Sequence, residues 1–528
     1  MTPRTAVEMH PQRWGDPAVA ARSELPESAL GLVELAFGLQ DRPPVSGATP
    51  PPSALDAALL DGLRAIVGEE HVLLDDETRA LRTRGKSTPD LLRARAGDLS
   101  DAPDAVVRPD GHAAVTAVLA WASEHRVVVV PFGGGTCVSG GLAARRDGFT
   151  GLVSLDLVRM KRLLAVDEVS MTATLEPGLR GPEAEALLAE HGLTLGHYPQ
   201  SYLHASIGGF AATRSSGQSS AGYGRFDAMV VGLTAATPTG SLDLGSAPAN
   251  AAGPDLRQLL LGSEGAFGVI TSVTLRVRRA PAVTTYEGWR WPSFDAGSDA
   301  MRTLAQAGLL PTVIRLSDET ETAINLADPG SIGGTEDPGC LMITGHEGTT
   351  EQVADRQAAV TQVLADLGGT PLGTGPGEKW VHGRFEAPYL RDALLDHGVL
   401  VETLETATFW SNRERLYAEV KAALTASLGE GSLVLCHVSH VYETGCSLYF
   451  TVAARQGDDP LAQWHVAKAA ASEAMIAAGA TITHHHAVGT DHRPWLAREI
   501  GEVGVRVLRA VKAELDPAGI LNPGVLVP

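Results

Sequence analysis

The chain has 528 residues, 44% hydrophobic and 20% charged, a balance suited to a globular protein of two or three domains. Its formal charge of −20 argues against nucleic-acid binding, which needs a basic face, and gives no bulk attraction to an anionic membrane. Four cysteines, Cys137, Cys340, Cys436 and Cys446, form no Cys-x-x-Cys pair, which excludes zinc-ribbon and thioredoxin readings and suits a reducing cytoplasm.

The opening MTPRTAVEMHPQRWGDP carries no apolar stretch of the secretory kind, and no apolar run approaches the ~18 residues of a spanning helix. Residues 1–100 read as a mostly helical N-terminal extension. Within it Leu25–Gln40 has helical spacing, with Ala29, Leu32, Val33, Ala36 and Phe37 on one face, expected to dock on the main body. Its polar face lacks the Lys and Arg of a membrane-surface helix. DRPPVSGATPPPS then reads as a stiff linker.

Residues 101–280 read as a mixed α/β domain. The helix GHAAVTAVLAWASEHR leads into a Val127–Val130 strand, and further strands are expected at GLVSLDL, within RLLAVDEVSMTATLEPG and at GVITSVTLRV. A second α/β region is expected over 281–480. The segment 481–528 returns to the first domain through the helix in GEVGVRVLRAVKAELDPAGILNPG and a turn around Asn522.

The stretch PFGGGTCVSGG follows the Val127 strand, and glycine loops there often let backbone amides approach a phosphate. A Walker loop fails, because Gly141-Leu142 stand where Lys and Ser or Thr are needed. A Rossmann fingerprint fails, because Val138 stands at the third glycine and LAARRDGFTG is too polar for a crossover helix. Two readings stay open at this point: a surface turn, or an amide nest around a pyrophosphate outside the Rossmann topology. SIGGFAATRSSGQSSAGYGRFDAMVVGL and LLLGSEGAFGVITSVTLRV add two more glycine-rich segments, which suggests one large ligand touching backbone at several places.

This ordered set resembles the vanillyl-alcohol-oxidase type of FAD-binding fold. The resemblance implies an α+β, two-domain protein with an α/β cap over the flavin domain. It places the FAD pyrophosphate at Phe132, Gly133, Gly134, Gly135, Thr136, Cys137, Val138 and Ser139. It adds Ser206, Gly208, Gly209, Thr213 and Ser216 from the second segment, and Glu264 and Ile270 from the third. Covalent flavins in this superfamily often hang from a histidine of the first loop; this loop has none, so non-covalent FAD is expected, with Cys137 a small filler.

Three constellations stand out in the second region. THHHAVG offers His484, His485 and His486; in an extended segment His485 would face away from its neighbours. It reads either as a histidine-rich loop or as a proton shuttle, and no metal is expected. Tyr449 lies mid-strand in GCSLYFTVA, where a tyrosine is either a sheet residue or a catalyst. Arg315 in TVIRLSDE and Arg391 in APYLRDALL must be paired, with Glu402 or Glu405 as salt-bridge candidates, or must hold a substrate phosphate or carboxylate.

WGDP, FGGGTCVSGG, VIRLSDE, YLRD…VLVETLETATFW, GCSLYF, THHHAVG and LDPAGILNPG, in that order, resemble the alkylglycerone-phosphate (alkyldihydroxyacetonephosphate) synthase branch of the superfamily. The resemblance implies a redox-neutral exchange of the acyl chain of acyl-dihydroxyacetone phosphate for a fatty alcohol, with the flavin taking part covalently. It implies Tyr449 as general acid/base, His485 with His484 and His486 as proton carriers, and Arg391 and Arg315 on the phosphate. It further implies a homodimer, peripheral on a membrane and acting on a lipid substrate; the composition, rich in Ala, Gly, Arg and Leu and without a recognisable peroxisomal address, makes the cytoplasm the expected location, at the inner face of the membrane. One departure is Thr490, where the family commonly has lysine.

Two rivals remain. An FAD-linked dehydrogenase of D-2-hydroxy acids shares the fold, and many bind a divalent metal. Here His440 matches the first ligand of that site, but Tyr449 and His485 stand at the other two, a poor set for a hard cation. The other rival is a flavin-binding scaffold without chemistry.

Overall fold

The computed structural model describes residues 8–20, 24–25, 27–146, 148–324 and 339–528. Three sheets organise it. The first has four strands, ordered Val72–Leu73, Ala105–Val107, Gly151–Asp156 and Val127–Phe132. The last three run parallel, and their valine-rich sequences are buried on both faces, as parallel strands require. The tail joins them: Val129 N–H donates to Ile520 O at 2.9 Å and Asn522 N–H to Val129 O at 3.0 Å.

The second sheet is a five-stranded antiparallel layer, ordered Leu163–Asp167, Thr172–Leu175, Val269–Arg276, Val230–Thr237 and Gly240–Leu244. The glycine segments lie where these two sheets meet. The first loop follows the strand ending at Phe132, the second forms the helix Ile207–Thr213, and the third precedes the strand Val269–Arg276.

The third sheet forms the cap. Its seven antiparallel strands are ordered Thr370–Gly373, Val283–Trp291, Cys340–Gly348, Val313–Ser317, Leu433–Val438, Gly445–Arg455 and Val399–Phe409. One face packs against the helices Phe294–Gln306, Arg413–Leu428 and Pro460–Ala477. Period-two alternation assigns the faces. Cys446, Leu448, Phe450 and Val452 join that helix-covered core, while Tyr449, Thr451 and Ala453 line a cavity on the other side. Each fully buried leucine or phenylalanine on the covered face stabilises the sheet by roughly 1.5–3 kcal/mol, so a one-residue slip that moved Tyr449 inward is strongly opposed.

The expected division at residue 100 falls inside a packed unit. Leu60, Leu63 and Val72 share a core with Val107, Val115 and Val129, so residues 55–74 pack with the first sheet, while the helix Thr88–Arg95 bonds to the cap, Thr88 Oγ1 donating to Val401 O at 2.6 Å. The helix Glu27–Phe37 docks through a narrower face than its periodicity predicts: Leu25, Ala29, Val33 and Phe37 pack against Ala393, Val399 and Val401 of the cap, while Leu32 and Ala36, expected on that face, stay exposed.

Candidate active site

A cavity of about 610 Å³ lies between the glycine segments and the open face of the cap sheet. Phe132 through Val138 line it, with Ser206, Gly208, Gly209, Thr213, Ser216, Glu264 and Ile270. Ser139 does not. It is fully buried, and its Oγ donates to His486 O at 2.8 Å, so it ties the loop to the histidine segment instead.

The glycines are sterically required. A Cβ on Gly133 would sit 2.3 Å from Ser206 Oγ, and one on Gly134 2.3 Å from His204 O. Gly135 has φ +67, in the left-handed region, with the Phe132 ring against its missing Cβ. The expected FAD fits this cradle: the loop presses on the second segment without side chains between, and the buried Gln218 Oε1 and Ser263 Oγ of cavity-lining residues have no hydrogen-bond partner among the described residues.

The opposite wall gathers the titratable side chains. Strand register sets Glu405 beside Tyr449, and Tyr449 beside His437, in one row across the cap sheet. The Tyr449 and His437 rings stack at 4.7 Å, and the His485 ring lies 6.0 Å from Tyr449, nearly parallel. Burial pushes the Tyr449 phenol up to about 12, so it is a proton donor at neutral pH.

The three histidines form a bend, not an extended run. Glu405 causes it: its Oε2 accepts the His484 N–H at 2.7 Å, and its Oε1 accepts those of His485 and His486 at 3.1 and 2.9 Å. Thr483 Oγ1 donates to the same carboxylate at 2.6 Å. His485 and His486 therefore both reach the cavity, while His484 lies behind them, 2.5 Å from Tyr442 OH through Nε2. Burial by itself raises the Glu405 pKa, but the surrounding imidazoles outweigh it and hold the carboxyl well below its usual range.

His440, His484 and His485 bring ring nitrogens within 4.8 Å of one another. The His440 and His484 rings stack, with centroids 5.1 Å apart and planes at 27°, so their in-plane lone pairs run side by side instead of converging. One hydrogen bond links the trio, His484 Nδ1 to His485 Nδ1 at 3.0 Å, and the buried His440 Nδ1 has no partner among the described residues.

The two arginines differ. Arg315 is neutralised by Glu321 and lies 3.0 Å from His437 Nδ1. Arg391, on the helix Ala387–Asp396, donates from Nε to Asp392 at 3.1 Å and from Nη1 to Lys86 O at 2.7 Å; its buried Nη2 has no partner among the described residues. Neither pairs directly with Glu402 or Glu405, the carboxylates expected from sequence. Asp392 also accepts the N–H of Trp14, whose ring closes this side of the cavity. Thr490 stands where the family lysine was expected, but buried Lys468 reaches the same segment from the helix Pro460–Ala477, with Nζ 2.6 Å from His492 Nε2.

Glu405, His437 and Trp14 were not singled out as site residues from sequence. A lone glutamate on the cavity parity of an apolar strand was the available signal for Glu405. Trp14 opens the WGDP stretch quoted for the family resemblance, but nothing local gave it a role in the site.

Burial lowers His440, His484 and His492 well below the ordinary histidine value, and lowers His197 and His486 to about 3. These imidazoles stay neutral in the folded chain but bind protons once unfolded, near pH 6.5. Their contribution is therefore full above pH 6.5 and is lost as pH falls toward the folded values. One proton changes stability by about 1.4 kcal/mol per pH unit, and several act together. Thermal unfolding from pH 7.5 to 5 should show a steep fall in Tm; a flat profile would contradict this burial.

Residues 103–244 match the family model "FAD binding domain" and residues 280–526 the model "FAD linked oxidases, C-terminal domain". The chain is 35% identical over 504 residues to the alkyldihydroxyacetonephosphate synthase of Trypanosoma brucei brucei, covering 90% of this chain and 82% of that one. It is 34% identical over 481 residues to that of Dictyostelium discoideum, covering 86% and 78%. A solved alkyldihydroxyacetonephosphate synthase structure superposes with TM-score 0.84 at 29% identity, covering 98% of each chain.

Proposed function

The chain belongs to the alkyldihydroxyacetonephosphate synthase family, and from that premise we propose that it exchanges the acyl chain of acyl-dihydroxyacetone phosphate for a fatty alcohol, using FAD. The observation that carries the reading is one continuous cavity. It joins the glycine cradle to Tyr449, His485 and Arg391, then continues into an apolar arm formed by Leu25, Ala29, Val33, Phe37, Leu394 and Val401. A phosphorylated head with a long aliphatic chain matches that sequence of surfaces.

In the exchange, the bond between the glycerone carbon and the acyl oxygen breaks and a fatty carboxylate leaves. The alcohol oxygen bonds to that carbon and gives up its proton, with no net redox change. Bound FAD supplies a nucleophilic centre at the isoalloxazine for this substitution. The protonated Tyr449 hydroxyl donates to the departing carboxylate. His485, with neutral His486 beside it, accepts the alcohol proton, and Glu405 fixes where both rings stand. The free Nη2 of Arg391 holds the substrate anion, while Arg315 acts through His437.

The flavin is held non-covalently in this reading. The loop Phe132–Ser139 has no histidine, and burial pushes the Cys137 thiol up to about 12. No described helix is long and apolar enough to cross a membrane. Exposed Leu32, Leu35 and Leu39 beside the apolar mouth support peripheral contact with a lipid surface. A homodimer is proposed from the family resemblance, and a cytoplasmic location from the composition.

The test supplies flavin-loaded protein with palmitoyl-dihydroxyacetone phosphate and labelled hexadecanol. Label in the alkyl ether product is expected. Bound flavin without labelled product, together with anaerobic bleaching by a D-2-hydroxy acid, would move the protein to the dehydrogenase reading. Arg391→Lys should raise KM for the phosphorylated substrate by about 10–100-fold, the value of one charge-assisted hydrogen bond, with a smaller change in kcat. An unchanged KM would remove Arg391 from the anion site.

A further inference from the structure

The chemistry above leaves one buried charge unused. Arg180 lies at the junction of the first two glycine segments. Its backbone bridges to Ser206, and its Nη1 lies against the phosphate loop, 2.8 Å from where a Cβ on Gly134 would be. Arg180 is 8% exposed, and that Nη1 is buried with no hydrogen-bond partner among the described residues.

The neighbouring carboxylates are already taken. Arg82 donates to Asp156 Oδ2 at 2.9 and 3.1 Å and to Glu8 at 2.7 and 2.9 Å, and Arg108 donates to the same Asp156 oxygen at 3.0 Å. Glu183 accepts from Lys161 Nζ at 3.2 Å and from Arg180's own N–H at 2.8 Å. Three carboxylates thus face four cations, Arg82, Arg108, Lys161 and Arg180; Glu8, Arg108 and Lys161 reach solvent, whereas Arg180 is buried and has no carboxylate of its own among the described residues. A buried charge without a counter-ion is strongly unfavourable, so the site is built for an anion that arrives with a ligand.

We propose that Arg180 is the buried counter-charge for the diphosphate of FAD and sets cofactor affinity from behind the glycine loop. The proposal rests on the FAD reading of the cavity. Riboflavin, which has the same ring and no diphosphate, separates charge from shape.

The experiment titrates FAD and riboflavin into deflavinated wild type, Arg180→Gln and Arg180→Lys, alongside thermal unfolding of each apoprotein. Arg180→Gln is expected to weaken FAD by about 10–100-fold and leave riboflavin unchanged. Its FAD affinity should also depend less on KCl than the wild type's. Arg180→Lys should recover most of the loss. Equal losses for FAD and riboflavin would make Arg180 merely structural and overturn the proposal. Unchanged FAD affinity with a raised KM for acyl-dihydroxyacetone phosphate would overturn it in favour of the substrate's phosphate. Wild type that binds no FAD would sink the cofactor reading itself. Should Arg180→Gln not fold, Arg180→Lys decides: near-wild-type FAD affinity with retained salt dependence supports the charge role, and a large FAD loss overturns it.

Discussion

Tyr449→Phe is expected to lower turnover by about 100–10,000-fold, the range of one positioned acid–base group, while the purified protein keeps its flavin. The change removes one oxygen and leaves the ring. Stacking with His437 at 4.7 Å and the strand pairing with Glu405 therefore survive, and folding should be untouched. The hydroxyl is the only part of the side chain that can donate to a departing carboxylate, and burial keeps it protonated through neutral pH. Incorporation of labelled hexadecanol reads turnover, and the visible flavin spectrum reads cofactor. Full activity in this variant would return Tyr449 to the status of a sheet residue. Wild-type protein that holds flavin yet turns nothing over would favour the inert scaffold.

Glu405→Gln is expected to cost both activity and stability. The carboxylate accepts three successive backbone N–H groups and the Thr483 hydroxyl, and it is 1% exposed. An amide keeps one acceptor oxygen and turns an NH₂ toward donors, so the bend carrying His485 and His486 opens. Breaking a buried charged network from one side costs about 3–5 kcal/mol. Glu405 touches no reacting atom, so its role is positioning. A tenfold or greater fall in kcat with lowered Tm and little change in FAD affinity is the expected pattern. The Glu405 pKa is depressed in the folded chain, so its stabilisation is present above about pH 4.3, the unfolded value, and is lost as pH falls through the lower folded value. The wild type's stability advantage over Glu405→Gln should therefore shrink in acid. An advantage that holds constant down to pH 3 would argue against the ionised carboxylate as the organising group.

Much of this was legible in the sequence because it is local. The glycine loop announced a ligand cradle, since glycine adopts the left-handed φ of Gly135 most readily and only glycine fits the closeness of Gly134 to His204 O. GCSLYFTVA was legible as a strand, but that Tyr449 faces the cavity and Leu448 and Phe450 the core was shown by the folded sheet. Helical spacing found Ala29, Val33 and Phe37 of the docked face but also put the exposed Leu32 and Ala36 on it.

What the sequence could not decide is partnership across distance. Whether Arg315 or Arg391 keeps a free N–H depends on Glu321, Asp392 and Lys86, which strand register and helix docking bring close. The bend of the three histidines depends on Glu405, which lies 79 residues before His484 and reaches it from another strand. The surplus charge at Arg180 exists only when Glu8, Asp156 and Glu183 are seen to be taken. Propensity and periodicity act over a few residues, so they marked the elements and part of their faces. Counter-ions and orphaned donors are settled by register and packing, so the tertiary structure alone decided which of the marked residues can act.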